Sequence, residues 1–430
     1  MRILTPLPAF FLAAALLLPA GVSAGGNYES MPIRENEQDL IDAANDLEGY
    51  FAAHGLLLRD EQVVSLVRRI GHELRPHPTD DYIEYEFFVL RDPSPNAFAL
   101  PNGHVYVHTG MLARLRDEDQ LAALLAHEIN HVAGHHGIVE HRATRKASIA
   151  GLVLGGASVW GGMIAVGLQA SVFGFSRELE QEADDRAVLV LRDSRYDPNA
   201  LPELLDILGQ DYDGLDPRVP TIWSTHPEIR ARAETSRTLV ADIPLGEREI
   251  DAFEVAVYGM RTMTVQDYVQ DDYPQTAVAL AESLTQRYPN DPRMLQLLGD
   301  AWQAMGGQRR LDAAQLTSSD KRQNRKDRAR KTREQRLAEQ LATDDGRAAY
   351  AENLARAAEI YGRVLAMDSG FAAAHRGLGE VYEQQQRHRE AAAEYVTYLR
   401  SAPDAADRPI VVGRLKALTV KLKESSSDRS

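Results

Sequence analysis

The 430-residue chain contains no cysteine. That excludes disulfides, thiolate metal ligands and a lipid-modified N-terminal cysteine, so any metal must be held by His, Asp or Glu. Positive charge is also scarce. Against 63 Asp and Glu stand 48 Lys and Arg, and the resulting net charge of −15 argues against general nucleic-acid binding. Long apolar runs are confined to two places. At the N-terminus, Arg2, the apolar residues 7–18 and Val22-Ser23-Ala24 follow the order of a secretory signal peptide cleaved near Ala24. This apolar stretch is too short to serve as a membrane anchor. The second run, Ala147–Ser176, is uncharged over 30 residues and contains seven glycines.

What is present fits a soluble globular chain of more than one domain, with 44% hydrophobic and 26% charged residues. Residues 36–75 place apolar side chains at helical spacing. The period then shortens: "YIEYEFFVL" (82–90) and "NAFALPNGHVYVHTGML" (96–112) predict a small antiparallel sheet over 82–110. Pro101-Asn102-Gly103 supplies its hairpin turn. A largely buried helix follows over 118–135, capped by Asp117, and further helical stretches lie at 176–193 and 224–234.

Beyond residue 265 the chain becomes rich in alanine and repetitive. "LLGDAW" (297–302) and "GLGEVY" (377–382) share Leu-Gly-x-x-aromatic, and Ala391, Tyr395 and Pro403 follow at the offsets of a tetratricopeptide (TPR) repeat. Residues 275–289 and 355–368 read as second helices of such pairs, which bury their apolar faces only by stacking into a solenoid. A segment at 309–336 interrupts them with eleven Lys and Arg against four Asp and Glu. It reads as a solvated charged stretch, with an acidic partner or anionic lipid as the alternative. The expected division is a signal peptide (1–24), a first domain (25–260), a helical repeat domain (261–424, interrupted at 308–345) and a disordered tail (425–430). The fold class is mostly α with a small antiparallel sheet in the first domain, followed by an all-α solenoid.

The chemistry concentrates in "LLAHEINHVAGHH" (124–136). His127 and His131 stand four apart, so on a helix both imidazoles reach one Zn²⁺. Glu128 projects within the apolar stripe of Leu121, Leu124, Leu125, Ile129 and Val132, where a glutamate needs a reason. A general base beside the metal supplies one. A third protein ligand is required. The metzincin pattern would place it at position 137, which is glycine, so that class fails. His135, His136 and His141 are read as polar residues at the helix end, with a supporting role left open. "ELEQEADD" (178–185) offers two carboxylate pairs at i, i+4: Glu180 with Asp184, and Glu178 with Glu182. In the first, Glu180 would bind metal and Asp184 would orient a ligand histidine. Spacing does not choose between the pairs.

His127-Glu128-x-x-His131 followed by Glu180-x-x-x-Asp184 resembles the HtpX-like and CAAX-prenyl-protease-like metallopeptidases. "NAFALPNGHVYVHTGML" and "STHPEIRAR" agree with it. With the signal peptide and the repeats, the whole mature chain is similar to the periplasmic, TPR-bearing type of that family. The resemblance implies a gluzincin-like zinc endopeptidase with one Zn²⁺ held by His127, His131 and Glu180, and with Glu128 as base. It thereby favours the Glu180–Asp184 pair. It implies that His226 can approach the metal, replace the water and hold the enzyme inactive, and that Arg232 helps to polarise the substrate carbonyl. It further implies misassembled outer-membrane β-barrel proteins as substrates and the barrel-assembly machinery as a TPR partner; a TPR scaffold with latent proteolysis is the alternative. The basic interruption of the repeats departs from the family pattern.

Substrate backbone would be held by an edge strand at 96–101, with Asn96, Ala97, Phe98 and Ala99 as the contact residues and Pro101 limiting further pairing. If His127, His131 and Glu180 share one metal, the run 147–176 does not span a membrane. A single crossing would separate them, and two crossings would each have about fifteen residues where ~20 are needed. A buried hairpin, a cover over the cleft or a shallow peripheral membrane contact remains.

Overall fold

The computed structural model describes residues 28–147, 175–211, 215–216, 219, 226, 228–248, 250–306 and 341–427. The signal-peptide reading (1–24), nearly all of the uncharged run and the basic segment 309–336 lie outside them. Helices α1 (Gln38–Ala53) and α2 (Glu61–Leu74) come first, followed by strands β1 (Glu86–Leu90), β2 (Ala97–Ala99) and β3 (His104–His108). Then come α3 (Thr109–Leu112), α4 (Glu118–Ala133), α5 (His136–Ala147), α6 (Arg177–Arg192), α7 (Ala200–Asp211) and α8 (Ile229–Val240).

The sheet has the order β1-β3-β2 and is mixed, not antiparallel as the sequence predicts. The turn at 101–103 does join β2 to β3 as a hairpin, with Phe98 opposite Tyr106. β1, however, runs parallel to β3 in the register Phe88↔Tyr106. The cause lies in the connection between β1 and β2. Its prolines, Pro93 and Pro95, donate no hydrogen bond and rule out a tight hairpin. The chain instead crosses the end of β3, where the Asp92 carbonyl accepts from the Gly110 N–H (3.0 Å) and the Thr109 hydroxyl (2.8 Å). β2 is therefore an edge strand.

Both faces of the sheet are covered, so its strands lack an apolar–polar alternation. Phe87, Val89, Ala97, Ala99, Val105 and Val107 point into the core shared with α2 and α4. Phe88, Phe98 and Tyr106 stack on the opposite face under Leu40, Ala44, Leu47 and Phe51 of α1. Enclosed on all sides, α4 has every one of its sixteen residues buried. Its first turn is capped by Asp117, whose Oδ1 accepts from the Gln120 N–H at 2.8 Å.

The repeat helices are α9 (Asp251–Gln270), α10 (Pro274–Arg287), α11 (Pro292–Met305), α12 (Asp344–Met367), α13 (Ala372–Gln384), α14 (His388–Ser401) and α15 (Arg408–Ser427). Each of the two Leu-Gly signatures has a tyrosine ring packed on its glycine, Tyr361 on Gly299 and Tyr395 on Gly379, where a Cβ would collide. This packing is why the repeats need glycine there. The expected boundary at 260/261 falls inside α9, so a shared helix replaces a linker. Arg261, fully buried, donates to the Leu115 carbonyl (2.6 Å) and the Ala113 carbonyl (3.2 Å) just ahead of α4. At the other end α15 continues to Ser427, three residues into the stretch expected to be disordered; 428–430 lie outside the described residues. No helix of the described residues is long and apolar enough to cross a membrane.

Candidate metal centre

α4 and α6 pack side by side, and α8 closes on α6. The one-turn spacing of His127 and His131 aims both Nε2 atoms at α6, and they stand 3.0 Å apart. Across from them, α6 presents Glu180 and Asp184, which are 1% and 0% exposed. Glu180 Oε1 is 3.5 Å from His131 Nε2, and Oε2 is 3.6 Å from His127 Nε2. The competing pair is separated cleanly: Glu178 is exposed, and the Glu182 side chain is 41% exposed. His226, from the segment before α8, puts Nδ1 at 2.8 Å from Glu180 Oε1 and 3.3 Å from His127 Nε2. One donor atom from each of His127, His131, Glu180 and His226 lies within 4.8 Å of the other three. Among the described residues this is the one such group, and it fits a metal ion.

The surrounding polar atoms are organised around that group. Asp184 Oδ1 faces His127 Nδ1 at 2.9 Å. Arg232 is placed differently from the expectation. Its Nε and Nη2 donate to the two Asp184 oxygens at 2.7 and 2.8 Å, and Nη1 pairs with Glu180. The guanidinium is thereby occupied by two buried carboxylates. Glu128 is completely buried, with neither oxygen hydrogen-bonded, and its Oε1 lies 3.7 Å from His226 Nε2.

Burial sets the protonation of Glu128 and His131, and neighbouring charges set that of Glu180 and Asp184. Desolvation raises the Glu128 carboxyl above its ordinary range, with His226 and His127 opposing. Desolvation and the neighbouring His127 and His226 imidazoles hold His131 well below its usual value, so it is neutral, as a ligand must be. Burial works to raise Glu180 and Asp184, but His226 and Arg232 outweigh it at Glu180, and Arg232 and His127 do so at Asp184. Both remain carboxylates.

β2 reaches the same place. A small cavity lined by Ala99, Leu100, Pro101, His131, Val132 and Phe175 joins its end to the second histidine. Ala97, Phe98 and Ala99 form the edge strand, and the Asn96 carbonyl just before it accepts from the His108 N–H at 3.0 Å. Of two further contacts, one answers the supporting role left open for His136 and the other was not foreseen. The Phe175 ring stacks on His131 with centroids 4.0 Å apart, and His136 Nδ1 lies 2.9 Å from His131 Nδ1. The adjacent histidines at 135–136 were the available signal for the second; nothing in the sequence marked Phe175.

Residues 58–240 match the sequence profile of peptidase family M48, and residues 348–409 match that of a tetratricopeptide repeat. The β-barrel assembly-enhancing protease of Escherichia coli (strain K12) is 29% identical over 357 residues, 80% of this chain and 66% of that protein. Its counterpart in Yersinia pestis is 26% identical over 252 residues, 53% of this chain and 52% of that protein. The mitochondrial metalloendopeptidase OMA1 of Schizosaccharomyces pombe is 28% identical over 242 residues, 52% of this chain and 69% of that protein. The chain thus spans a little under two thirds of the Escherichia coli relative.

Proposed function

From a chain whose residues 58–240 match the profile of peptidase family M48, we propose a zinc-dependent endopeptidase that works in the periplasm after cleavage near Ala24. The observation that carries this reading is the buried group of His127, His131, Glu180 and His226 beside the unbonded Glu128. A tetrahedral Zn²⁺ with bonds of 2.0–2.1 Å holds its ligand atoms about 3.3 Å apart. The separations of 2.8–3.6 Å bracket that value. His127, His131 and Glu180 would hold one zinc per chain, which supplies a Lewis acid that polarises the scissile carbonyl.

The chain's own residues do the rest. Asp184 and Arg232 fix the carboxylate side of the site, and Glu128, kept from water, is the base that takes the proton from the attacking water and passes it to the leaving amine. β2 would pair with the backbone of an extended substrate through its free edge, which suits an unfolded barrel strand and tolerates many sequences. The relatives named for β-barrel assembly support misassembled outer-membrane proteins as substrates. The TPR repeats would recruit them or the barrel-assembly machinery, raising local concentration.

His226 favours a second reading. Packed on Glu180 at 2.8 Å, it would close the site to water, leaving a chaperone-like TPR scaffold with latent proteolysis. Metal content and cleavage of casein and of an unfolded barrel protein test both readings. Glu128→Gln should keep its zinc and lose cleavage roughly 100-fold or more. Glu180→Gln should lose zinc where Glu182→Gln does not, and His226→Ala should cleave faster than wild type. A Glu128→Gln variant that still complements a deletion strain in full would leave the scaffold reading in place of the enzyme.

A further inference from the structure

We propose that His136 is a positioning residue that sets the proton pattern of His131, an inference that rests on the metallopeptidase reading above. His131 faces the metal cluster with Nε2 and His136 with Nδ1, at 2.9 Å from the Nδ1 of the latter, and both rings are buried. Of two ring nitrogens facing each other at that distance, only one carries hydrogen. A ligand needs a bare Nε2, which places the His131 hydrogen on Nδ1. His136 Nδ1 must then be the acceptor, and its own hydrogen sits on Nε2. His136 Nε2 makes no hydrogen bond among the described residues, and the carboxylate facing it, Glu182 Oε2 at 3.8 Å, is ion-paired with Arg186 at 2.7 Å.

The chain accepts an unusual backbone to achieve this. His135, two residues past the end of α4, has φ +54°, a left-handed conformation rare for a non-glycine residue. Tyr82 Oη at 3.0 Å and the Glu29 carbonyl at 2.9 Å hold it there. A Cβ on Gly134 would stand 2.4 Å from His136 Nε2, so a side chain there would push the ring away. Strained turn and missing side chain together fold the first residue of α5 back onto the last ligand of α4. Phe175 stacks on the face of His131 while His136 holds its edge.

The choice of histidine as acceptor also has a reason. Asp184 faces His127 with a carboxylate, and the Arg232 guanidinium is already paired with both Glu180 and Asp184. A carboxylate at position 136 would add a fourth negative group to a dry site. A neutral imidazole orients the second ligand without that cost.

The test uses the full-length zinc-loaded chain. In the wild type, ¹⁵N NMR should show hydrogen on His131 Nδ1 with a through-bond coupling to His136 Nδ1; hydrogen on His136 Nδ1 instead overturns the proposal. His136→Phe should weaken zinc in competition with a chromophoric chelator by roughly 10–100-fold and remove the bonded Nδ1–H signal. His136→Asn, whose Oδ1 can occupy the acceptor position, should restore most of the affinity and the signal. An Asn variant as weak as Phe, with unchanged melting of both metal-free proteins, would reduce His136 to packing and refute the proposal. A wild type that binds no zinc refutes the metallopeptidase reading itself, before any variant is made.

Discussion

At the scale of single residues, this site shows how burial assigns different tasks to the same functional group. Glu128, Glu180 and Asp184 are all carboxylates with almost no exposure. Glu128 has neither of its oxygens hydrogen-bonded, and desolvation raises it towards the range of a useful base. Glu180 and Asp184 sit on Arg232 and remain charged. Removing that cation would leave two buried charges uncompensated, which typically costs about 3–5 kcal/mol. Arg232→Met is therefore expected to lower the urea midpoint of the metal-free chain strongly, and Arg232→Lys to recover only part of it, since lysine has no fork for Asp184. A methionine variant as stable as wild type would refute this role.

At the scale of elements, the site depends on where α5 begins, and α5 is anchored far from the metal. Arg142 on α5 makes a two-pronged ion pair with Glu37, ahead of α1, at 2.8 Å for each bond. The Arg142 hydrogen bond, opposed by burial, is the main reason Glu37 drops from 4.5 to about 2. A carboxyl lowered on folding contributes stability that is complete above its unfolded value, near 4.5, and is lost as pH falls through about 2. Glu37→Gln should thus be less stable than wild type at pH 7, and the gap in urea midpoint should close between pH 4.5 and 2. A gap constant with pH would exclude the ion pair as its source. The helices α1, α2, α4 and α6 were legible because their apolar spacing is long, and α4 also has an explicit cap in Asp117. The partner of β1 was not, because strand order depends on a crossing connection that has no period of its own.

At the scale of the whole molecule, the peptidase and repeat regions share a core. Buried apolar contacts run without a break from Val63 on α2 to Val381 on α13. α9 belongs to both regions, and Arg261 and Arg287 donate to the Leu115 carbonyl. One cooperative unfolding transition is expected in calorimetry of the full chain. Arg261→Met, which removes a buried guanidinium from half-buried Glu254 and from two carbonyls, should lower its midpoint by an amount equivalent to about 3 kcal/mol or more. Two well-separated transitions in wild type would show that the regions unfold independently.

Sequence alone determined the parts of the chemistry that lie within one helix. The offset of His127 and His131, and of Glu180 and Asp184, is fixed by 3.6 residues per turn wherever the helices go. The absence of cysteine likewise restricted the ligands to nitrogen and oxygen. Tertiary structure decided what depends on two segments meeting. It selected Glu180 over Glu182 by burying one face of α6, and it set Arg232 on carboxylates where a substrate carbonyl had been expected. It also folded His136 back onto His131. Periodicity reports which way a side chain points from its own axis; the charges and rings it will meet come from distant parts of the chain, and only packing brings them there.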